Sequence, residues 1–396
     1  MHRKGSGRYL SSAAFLASVG VVFFVMWGLY GWLGFSTYTS TSNPFKRKRV
    51  YERVCPETGE GSAAPLNHRA LQDAVPKAVA LITGKLRSRM QDEVIVVLST
   101  TVNREAALHN LPPFLESLQT VVPPLIEQTI VFCLDEASCT QCAALHREPR
   151  LCLRMDLGVS SDSLAPVPLG KDFNTRSYWR LTYGRVYATL LIHNEGVNVL
   201  SVDVDAVFLK NPFARGEEIP REPHRIAGVV DSKPFDLATT DKNLMLNGGF
   251  LYFPATSPKV AIATNKAIQD IWRQSCTQTN EQLVTSEVIK ALYRSKDKGD
   301  PLQPRILSPE QYRNFCNTKC GGEMALAEVR SVDDLRALEE RAKDDPSFKP
   351  CVRERRRGWV FFHAACTAWP GGQSTDLAKA KGDVQRAMLM WVKDGL

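Results

Sequence analysis

The sequence predicts an α/β protein with a mostly parallel central sheet. Three observations support this prediction: apolar runs of strand length, segments with helical spacing between them, and polar residues where the strands end. Strand, helix, strand order favours parallel pairing, because the intervening helix returns the chain to the start of the next strand. Such sheets bind ligands beyond the carboxyl ends of their strands. At 396 residues and 44% hydrophobic, the chain can bury one large core or two ordinary ones.

The elements follow one another along the chain. Residues 93–101 (EVIVVLSTT) and 129–135 (TIVFCLD) predict two buried strands. Residues 105–118 between them have helical spacing, with Pro112 and Pro113 near a helix start, and residues 178–192 predict an amphipathic helix that leads into a third strand. The polar residues expected at the strand ends are Thr100, Thr101, Asp135, Asp203 and Asp205.

The third strand carries two aspartates, Asp203 and Asp205, in the run LSVDVDAVFL at residues 200–209. In an extended chain, side chains two residues apart face the same way, so the two carboxylates converge. Like charges this close raise the pKa of one carboxyl group unless a cation lies between them, and oxygen ligands suit Mg²⁺ or Mn²⁺ carrying phosphate. The pair therefore predicts a metal site that bridges the protein to a diphosphate. The alternative is that the acids solvate the strand end, or that Asp205 caps the next element of the chain.

The N-terminal region carries an uncharged apolar run at residues 9–35. It is long enough to cross a hydrocarbon layer about 30 Å thick, and it exceeds the apolar region of a cleaved signal peptide, which is the alternative. We therefore expect a short cytosolic tail (1–8), a transmembrane signal anchor (9–35), a stem or linker (36–90) and a catalytic domain (91–396).

Two signals disagree about the orientation of that anchor. More positive residues follow the span than precede it, which favours a cytosolic C-terminal part. All ten cysteines also follow the span, an even number that suits an oxidising lumen. Because long domains cross membranes largely regardless of flanking charge, we expect the large C-terminal part to be luminal.

Six sequence blocks together resemble one family of enzymes. In order they read VIVVLSTTVN, IVFCLDEASC, YGRVYATLLIHNEGVNVLSVDVDAVFLKNPF, AGVVDS, LNGGFLYFPAT and FFHAAC, and they lie between residues 92 and 382. This order is similar to that of the nucleotide-diphospho-sugar transferases of the GT-A type, which have a Rossmann-like fold. Within them it resembles glycosyltransferase family 77, a plant and algal group.

The resemblance implies roles for matching residues. Asp203, Asp205 and His363 would hold Mn²⁺, with Mg²⁺ as the alternative, and Asp203, Asp205 and Asp231 would be the catalytic residues. From the strand end at residues 99–103, Thr100, Thr101 and Asn103 would meet the nucleotide. The other residues implied to bind the nucleotide sugar are Arg185, Asp203, Asn247, Gly248, Gly249, Gln282 and Lys379.

Several of these residues also have ordinary structural interpretations. His363 on the apolar run at residues 359–362 could be a core histidine, and Arg185 could be a helix-surface arginine. The Asn247-Gly248-Gly249 segment, expected to follow a loop and to precede a strand at residues 250–253, could be a plain turn or could let a sugar approach the backbone.

Two positions depart from the pattern of the family. Glu281-Gln282 stands where relatives have Asp-Gln. The C-terminal glycines and lysines come late, so either Lys379 or Lys381 could meet the diphosphate. The basic run at residues 353–357 is interpreted as solvated or as attractive to an acidic polysaccharide.

The cysteines admit two interpretations. Cys133, Cys139, Cys142 and Cys152 could ligate zinc, but only one CxxC pair is present, so disulfides are favoured. Cys316 and Cys320 are expected to bridge each other or nearby cysteines.

The predicted function is therefore metal-dependent transfer of a sugar, from a nucleotide-diphosphate donor that we expect to be a UDP-sugar, to a hydroxyl of a glycan or glycoprotein, with retention of configuration. The expected location is the Golgi membrane, as a single-pass type II protein held through residues 9–35 with its catalytic domain in the lumen; no nucleic-acid partner is expected. One alternative is a haloacid-dehalogenase-like phosphatase, whose second acid pair would be Asp333 and Asp334. The other is a non-catalytic membrane-tethered scaffold with a transferase fold.

The luminal orientation is testable with an engineered glycosylation site near Gly59. Glu60→Asn ahead of Gly61 and Ser62 creates a sequon in a chain that otherwise has none, and we expect it to become glycosylated. The measurement is a gel shift that an endoglycosidase reverses. A bare sequon, together with digestion of the domain by protease added to intact vesicles, would establish the cytosolic orientation instead.

Overall fold

The structure is a computed structural model. It describes residues 67–87, 95–157, 176–230, 246–275, 281–294, 304–314, 329–344, 358–364 and 374–393. The strands are β1 (Val96–Val102), β2 (Thr129–Cys133), β3 (Cys152–Arg154), β4 (Asn198–Val202), β5 (Ala206–Phe208), β6 (Ala227–Val230), β7 (Leu246–Phe253), β8 (Arg305–Ile306), β9 (Tyr312–Asn314) and β10 (Phe361–His363).

The helices connect and cover these strands. They are α1 (His68–Arg87), α2 (Arg104–His109), α3 (Leu111–Val121), α4 (Pro123–Ile126), α5 (Glu136–Leu145), α6 (Arg176–Asn194), α7 (Glu218–Arg221), α8 (Pro258–Ser275), α9 (Glu281–Arg294), α10 (Val332–Asp344) and α11 (Ser374–Lys393), with a 3-10 turn at Pro149–Leu151.

The main sheet has seven strands in the order β3-β2-β1-β4-β7-β6-β8. Neighbouring strands pair in parallel except on the two sides of β7, which runs antiparallel to β4 and to β6. The predicted mostly parallel sheet is therefore confirmed. Because β7 runs in reverse, its first residues, Asn247 to Gly249, lie at the carboxyl edge of the other strands.

Apolar side chains cover both faces of the main sheet. Val97 and Val199 belong to one core cluster, which includes apolar residues of α1, α6, α8 and α9. Val96 and Leu98 belong to the opposite cluster, with residues of α2, α3 and α4. This alternation follows from the two-residue period of a strand, and with both faces covered β1, β2 and β4 are buried at nearly every position.

The predicted strands and helices occur close to their predicted places. The proline-bearing segment at residues 105–118 is two helices, because the chain turns at Asn110 and the prolines occupy the first positions of α3, where no hydrogen bond is lost. The Asn-Gly-Gly segment, expected to precede the strand, instead lies inside β7, which already begins at Leu246.

Helix α1 lies within residues 36–90, the segment predicted to be a stem. Its apolar residues Leu71, Val75, Val79 and Ile82 are buried in a core cluster. The packed part of the chain therefore begins before residue 91. None of the helices in the described ranges is long and apolar enough to span a membrane, and the predicted anchor at residues 9–35 lies outside those ranges.

The apolar run around the two aspartates is two strands, not one. β4 ends at Val202 and β5 begins at Ala206, in a separate sheet of order β5-β10-β9. The chain leaves the main sheet at Asp203, Val204 and Asp205, and we call these three residues the acidic turn. Placing the acids between strands keeps them out of the continuous apolar strand, where they would be costly.

The four cysteines near β2 do not form a metal site. Cys142 and Cys152 form a disulfide with their Cα atoms 6.0 Å apart, within the usual range. The thiols of Cys133 and Cys139 hydrogen-bond to each other, and that contact together with burial raises the pKa of Cys133. In the described ranges, groups of three or more candidate metal ligands do not include a cysteine, so the zinc interpretation is wrong for these four. Cys316 and Cys320 lie outside the described residues, as does the basic run at 353–357.

The disulfide gives a stability prediction. Cys142 and Cys152 are 10 residues apart, and closing a loop of that size stabilises a fold by about 2 to 3 kcal/mol through the unfolded state. Cys152→Ser should lower the free energy of unfolding by roughly this amount, as measured by denaturant unfolding. Peptide mapping without reductant should recover the 142–152 pair from the unmodified protein. Equal stability of the two proteins would contradict the bond.

Candidate active site

The acidic turn is held by backbone pairing on both sides. The Asp203 N–H donates to the carbonyl of Gly249 at 3.1 Å, and the Ala364 N–H donates to the carbonyl of Asp205 at 2.9 Å. β5 pairs antiparallel with β10 so that Ala206 is opposite His363. This register places the His363 ring directly beside Asp205.

Both carboxylates of the turn face the same ring nitrogen. His363 Nε2 lies 3.0 Å from Asp205 Oδ1 and 3.5 Å from Asp203 Oδ2. One ligand atom from each of the three residues lies within 4.8 Å of the others. The predicted convergence is present, although it arises from a turn between two sheets and not from one face of a strand.

Asp205 lies between two basic side chains, Lys381 and His363. Its side chain is 13% exposed, and its Oδ2 accepts a hydrogen bond from Lys381 Nζ at 2.5 Å. Burial opposes the ionised form, but Lys381 and His363 outweigh it and hold the pKa of Asp205 well below its usual range. Burial likewise opposes the charged form of His363, yet the neighbouring Asp205 and Asp203 raise the pKa of the imidazole above its ordinary value.

Arg185 connects Asp203 to a second buried acid. The guanidinium donates from Nη1 to Asp203 Oδ1 and from Nη2 to Glu281 Oε1, the latter at 2.7 Å. Arg185 is 8% exposed and Glu281 is 3% exposed, so Arg185 is not a surface residue of its helix. Burial is the main effect that raises the pKa of Glu281; Asp203 raises it further, and Arg185 opposes both.

The two glycines of β7 provide the space for these side chains. A Cβ on Gly248 would lie 2.8 Å from Glu281 Oε1, and a Cβ on Gly249 would lie 2.7 Å from His363 Nδ1. Glycine is therefore the residue that fits at both positions, because the Arg185–Glu281 ion pair occupies the space beside Gly248 and the His363 imidazole occupies the space beside Gly249. Asn247 is buried, and its Oδ1 accepts a hydrogen bond from the Gly249 N–H at 2.7 Å.

The end of β1 lies at the same edge. Ser99 pairs with Ser201, so Thr101 and Asp203 are each two residues further toward the carboxyl edge. The hydroxyls of Ser99, Thr100 and Thr101 are buried and have no hydrogen-bond partner among the described residues. Buried hydroxyls normally have partners, so this strand end has unused hydrogen-bonding capacity.

Two of the strand-end residues have structural roles. Asn103 caps α2, because its Oδ1 accepts from the Ala106 N–H at 2.9 Å. Asp135 caps α5 through the Ser138 N–H at 2.7 Å, and its other oxygen accepts from the Arg104 N–H at 2.9 Å.

The remaining predicted residues divide into three cases. Gln282 approaches the Gly248 N–H, with its Oε1 at 3.5 Å. Lys379 is exposed and pairs with Asp383 at 3.4 Å, so the lysine that reaches the acidic turn is Lys381 and not Lys379. Asp231 lies outside the described residues.

Sequence reasoning misses two contributors to the site. Glu281 stands out in the sequence only as a departure from a family pattern. Its pairing with Arg185 joins residues 96 positions apart, so no local sequence pattern predicts it. Gln385, which contacts the acidic turn from α11, belongs to none of the sequence blocks. Its spacing of four residues from Lys381 places the two on one helix face, and that periodicity is the available signal.

The chain is similar to known transferases. The family model described as nucleotide-diphospho-sugar transferase matches residues 124–326, slightly more than half of the 396 residues. The matched region contains the acidic turn, Arg185, β7 and Glu281, whereas His363 and Lys381 lie beyond it. No curated protein sequence showed a significant match.

Three solved structures show remote similarity. The apo form of mouse xyloside xylosyltransferase 1 is 15% identical, with a TM-score of 0.37, over 69% of this chain and 99% of that one. The apo form of the bifunctional glycosyltransferase WbbM is 10% identical, with a TM-score of 0.37, over 73% and 50%. An active-site mutant of LgtC is 14% identical, with a TM-score of 0.33, over 71% and 94%.

Packing at Gly249 can be tested by a substitution that adds a single methyl group. Gly249→Ala should displace His363 and lower the free energy of unfolding by about 1 to 3 kcal/mol, the usual cost of overpacking. Gly84→Ala is the matched control, because a Cβ there meets nothing within 4 Å and alanine favours the helix by about 0.5 to 1 kcal/mol. The measurement is denaturant unfolding of both variants. A Gly249→Ala protein as stable as the unmodified one would show that His363 does not occupy this space.

Proposed function

The chain belongs to the nucleotide-diphospho-sugar transferase family, and we propose that it is a metal-dependent glycosyltransferase that uses the acidic turn and His363 to bind the donor diphosphate. The family assigns an α/β GT-A-like fold, glycosyltransferase activity and a nucleotide-sugar donor. Metal dependence, the donor base, the acceptor and the stereochemistry belong to the proposal.

The observation that carries the proposal is the convergence of Asp203, Asp205 and His363 at the carboxyl edge of the sheet. Two carboxylates and an imidazole fit Mn²⁺, and Mg²⁺ is the alternative. His363 Nε2 is the ring nitrogen that faces both acids. A divalent ion held there would supply positive charge beside the leaving diphosphate.

Arg185 and Lys381 support the same assignment. Each is a cation held within the site, and each pairs with one carboxylate of the acidic turn. Transfer of a glycosyl group leaves negative charge on the departing diphosphate, so these two residues stabilise the leaving group by charge-assisted hydrogen bonds. Glu281 keeps the Arg185 guanidinium in place from its other side.

The remaining donor contacts are assigned to the edge formed by β1 and β7. The unpartnered hydroxyls of Thr100 and Thr101 support nucleotide binding at the end of β1. Gln282, beside the Gly248 amide, is assigned to the sugar side. Lys381 replaces Lys379 in the set, and Asp231 remains a proposed catalytic residue from its position after β6.

Three finer parts of the proposal rest on the resemblance to glycosyltransferase family 77: a UDP-sugar donor, a glycan or glycoprotein hydroxyl as acceptor, and retention of configuration. That this chain is a member of family 77 is itself a prediction. Location in the Golgi membrane, as a type II protein anchored by residues 9–35, rests on the apolar run and the cysteine content. The Cys142–Cys152 disulfide supports an oxidising compartment.

The phosphatase alternative loses its predicted second acid pair. Asp333 and Asp334 lie in the first turn of α10, and the Asp333 side chain is 89% exposed, so they cannot supply a buried acid site. A non-catalytic scaffold is disfavoured because Asp203, Asp205 and His363 are all present and lie together. Measurable hydrolysis of a nucleotide sugar separates an enzyme from a scaffold.

The direct test is a donor-hydrolysis screen across UDP- and GDP-sugars in the presence of Mn²⁺. We expect one donor class to be hydrolysed, with the rate lost in EDTA and recovered when Mn²⁺ is restored. Asp205→Ala should abolish turnover because the carboxylate that faces both His363 and Lys381 is removed. Full activity in EDTA would refute metal dependence.

The ligand role of His363 predicts a shift in metal affinity. His363→Ala should raise the Mn²⁺ concentration at half-maximal hydrolysis severalfold or more, with partial recovery at high Mn²⁺, because one nitrogen ligand is lost while two carboxylates remain. The measurement is a Mn²⁺ titration of hydrolysis alongside melting curves. An unchanged midpoint with a lowered melting temperature would identify His363 as a core residue only.

A further inference from the structure

Gln385 on α11 binds the backbone of the acidic turn. Its side chain is fully buried, and its Nε2 donates to the carbonyl oxygens of Val204 and Ala206, each at 2.8 Å. These two residues flank Asp205 in the sequence. The amide therefore holds the chain on both sides of the residue that is central to the site.

The carbonyl groups concerned need a donor. Val204 lies between β4 and β5, so its carbonyl is not part of either strand, and its side chain is buried. A buried carbonyl without a partner costs about 1 to 3 kcal/mol. Gln385 supplies that donor from a helix that lies about 180 residues further along the chain.

A second amide fixes the orientation of Gln385. Asn110 is 2% exposed, and its Nδ2 donates to Gln385 Oε1 and to the carbonyl of Ala378, both at 3.0 Å. With its oxygen accepting from Asn110, the Gln385 amide has its nitrogen directed at the turn. The network leaves one assignment of the amide that satisfies all of these contacts.

The same helix also binds the side chain of Asp205. Lys381 precedes Gln385 by one helical turn, and its Nζ lies 2.5 Å from Asp205 Oδ2. Between them, a Cβ on Gly382 would lie 2.9 Å from the carbonyl carbon of His109, so α11 lies in direct contact with the end of α2. α11 thus has a fixed position from which it binds both the backbone and the carboxylate of Asp205.

We propose that Gln385 is a positioning residue, which sets the conformation of the acidic turn and thereby the distance of Asp205 from His363 and Asp203. It contacts no reacting atom and acts through the backbone of Val204 and Ala206. The inference rests on the proposed function only for the experiment that measures metal binding.

The test compares two buried amides in different parts of the protein. Gln385→Met keeps the side-chain length and removes the hydrogen bonds. The matched control is Asn198→Leu at the start of β4, because Asn198 is 5% exposed and its amide also binds two backbone groups, the carbonyl of Ile95 at 3.0 Å and the N–H of Ala255 at 2.7 Å. Both variants should lower the melting temperature.

Two readouts separate positioning from stability alone. The first is hydrogen exchange of residues 203–208 in metal-free protein, measured for each variant at the same interval below its own melting temperature. Exchange should be at least severalfold faster in Gln385→Met than in Asn198→Leu. The second is the Mn²⁺ midpoint of donor hydrolysis, which should rise severalfold in Gln385→Met and stay unchanged in Asn198→Leu. Equal exchange in the two variants would overturn the proposal.

The outcomes remain distinct if another part of the interpretation fails. If the unmodified protein shows no metal-dependent hydrolysis, the proposed function is wrong, and hydrogen exchange still decides the role of Gln385. If Gln385→Met does not fold, Asn110→Leu is used, which leaves Gln385 in place but removes the donor to its oxygen. It should accelerate exchange of residues 203–208 by a smaller factor, and unchanged exchange there would overturn the proposal.

Discussion

The largely enclosed carboxylate of Asp205 is the constraint on which the site depends. An isolated carboxylate in an apolar interior is strongly disfavoured, so it requires cations and hydrogen-bond donors at short range. His363 and Lys381 supply these from β10 and α11, and each lies more than 150 residues further along the chain. The second sheet brings His363 to the Asp205 carboxylate, and the packing of α11 brings Lys381 to the same carboxylate.

The site is an alternating series of acidic and basic side chains. Glu281, Arg185, Asp203, His363, Asp205 and Lys381 follow one another in space, each in contact with the next. Such a series is self-compensating, because every carboxylate has at least one basic neighbour. It also places two cations at the rim of a pair of acids, an arrangement that can exchange internal partners for the oxygens of a bound phosphate.

Local sequence patterns predict the parts of this site that depend on local structure. Strand ends are visible as apolar runs followed by polar residues, so the sequence alone places Thr101, Asp203 and Asp205 at one edge. His363 needs the resemblance to a family, because its proximity to Asp205 comes from strand pairing across 158 residues.

Two other features of the site depend on long-range packing. The glycine at 249 could be interpreted as a turn or as a sugar contact, because no local pattern shows that an imidazole from β10 fills the space beside it. The choice between Lys379 and Lys381 depends on which face of α11 packs inward. That face is identified by the contact of Gly382 with His109, which joins two helices far apart in the sequence.

The separation of Asp205 from its partners also sets an order of events during biosynthesis. His363 is 158 residues and Lys381 is 176 residues downstream, so at elongation rates of roughly 5 to 20 residues per second the acids leave the ribosome on the order of 10 to 30 s before either partner. During that interval the acidic turn has no internal cation from β10 or α11, and it must stay hydrated because burying it alone is too costly. A nascent chain that has not reached residue 363 therefore lacks one of the three proposed metal ligands, and translation of β10 and α11 is the step that allows the site to close.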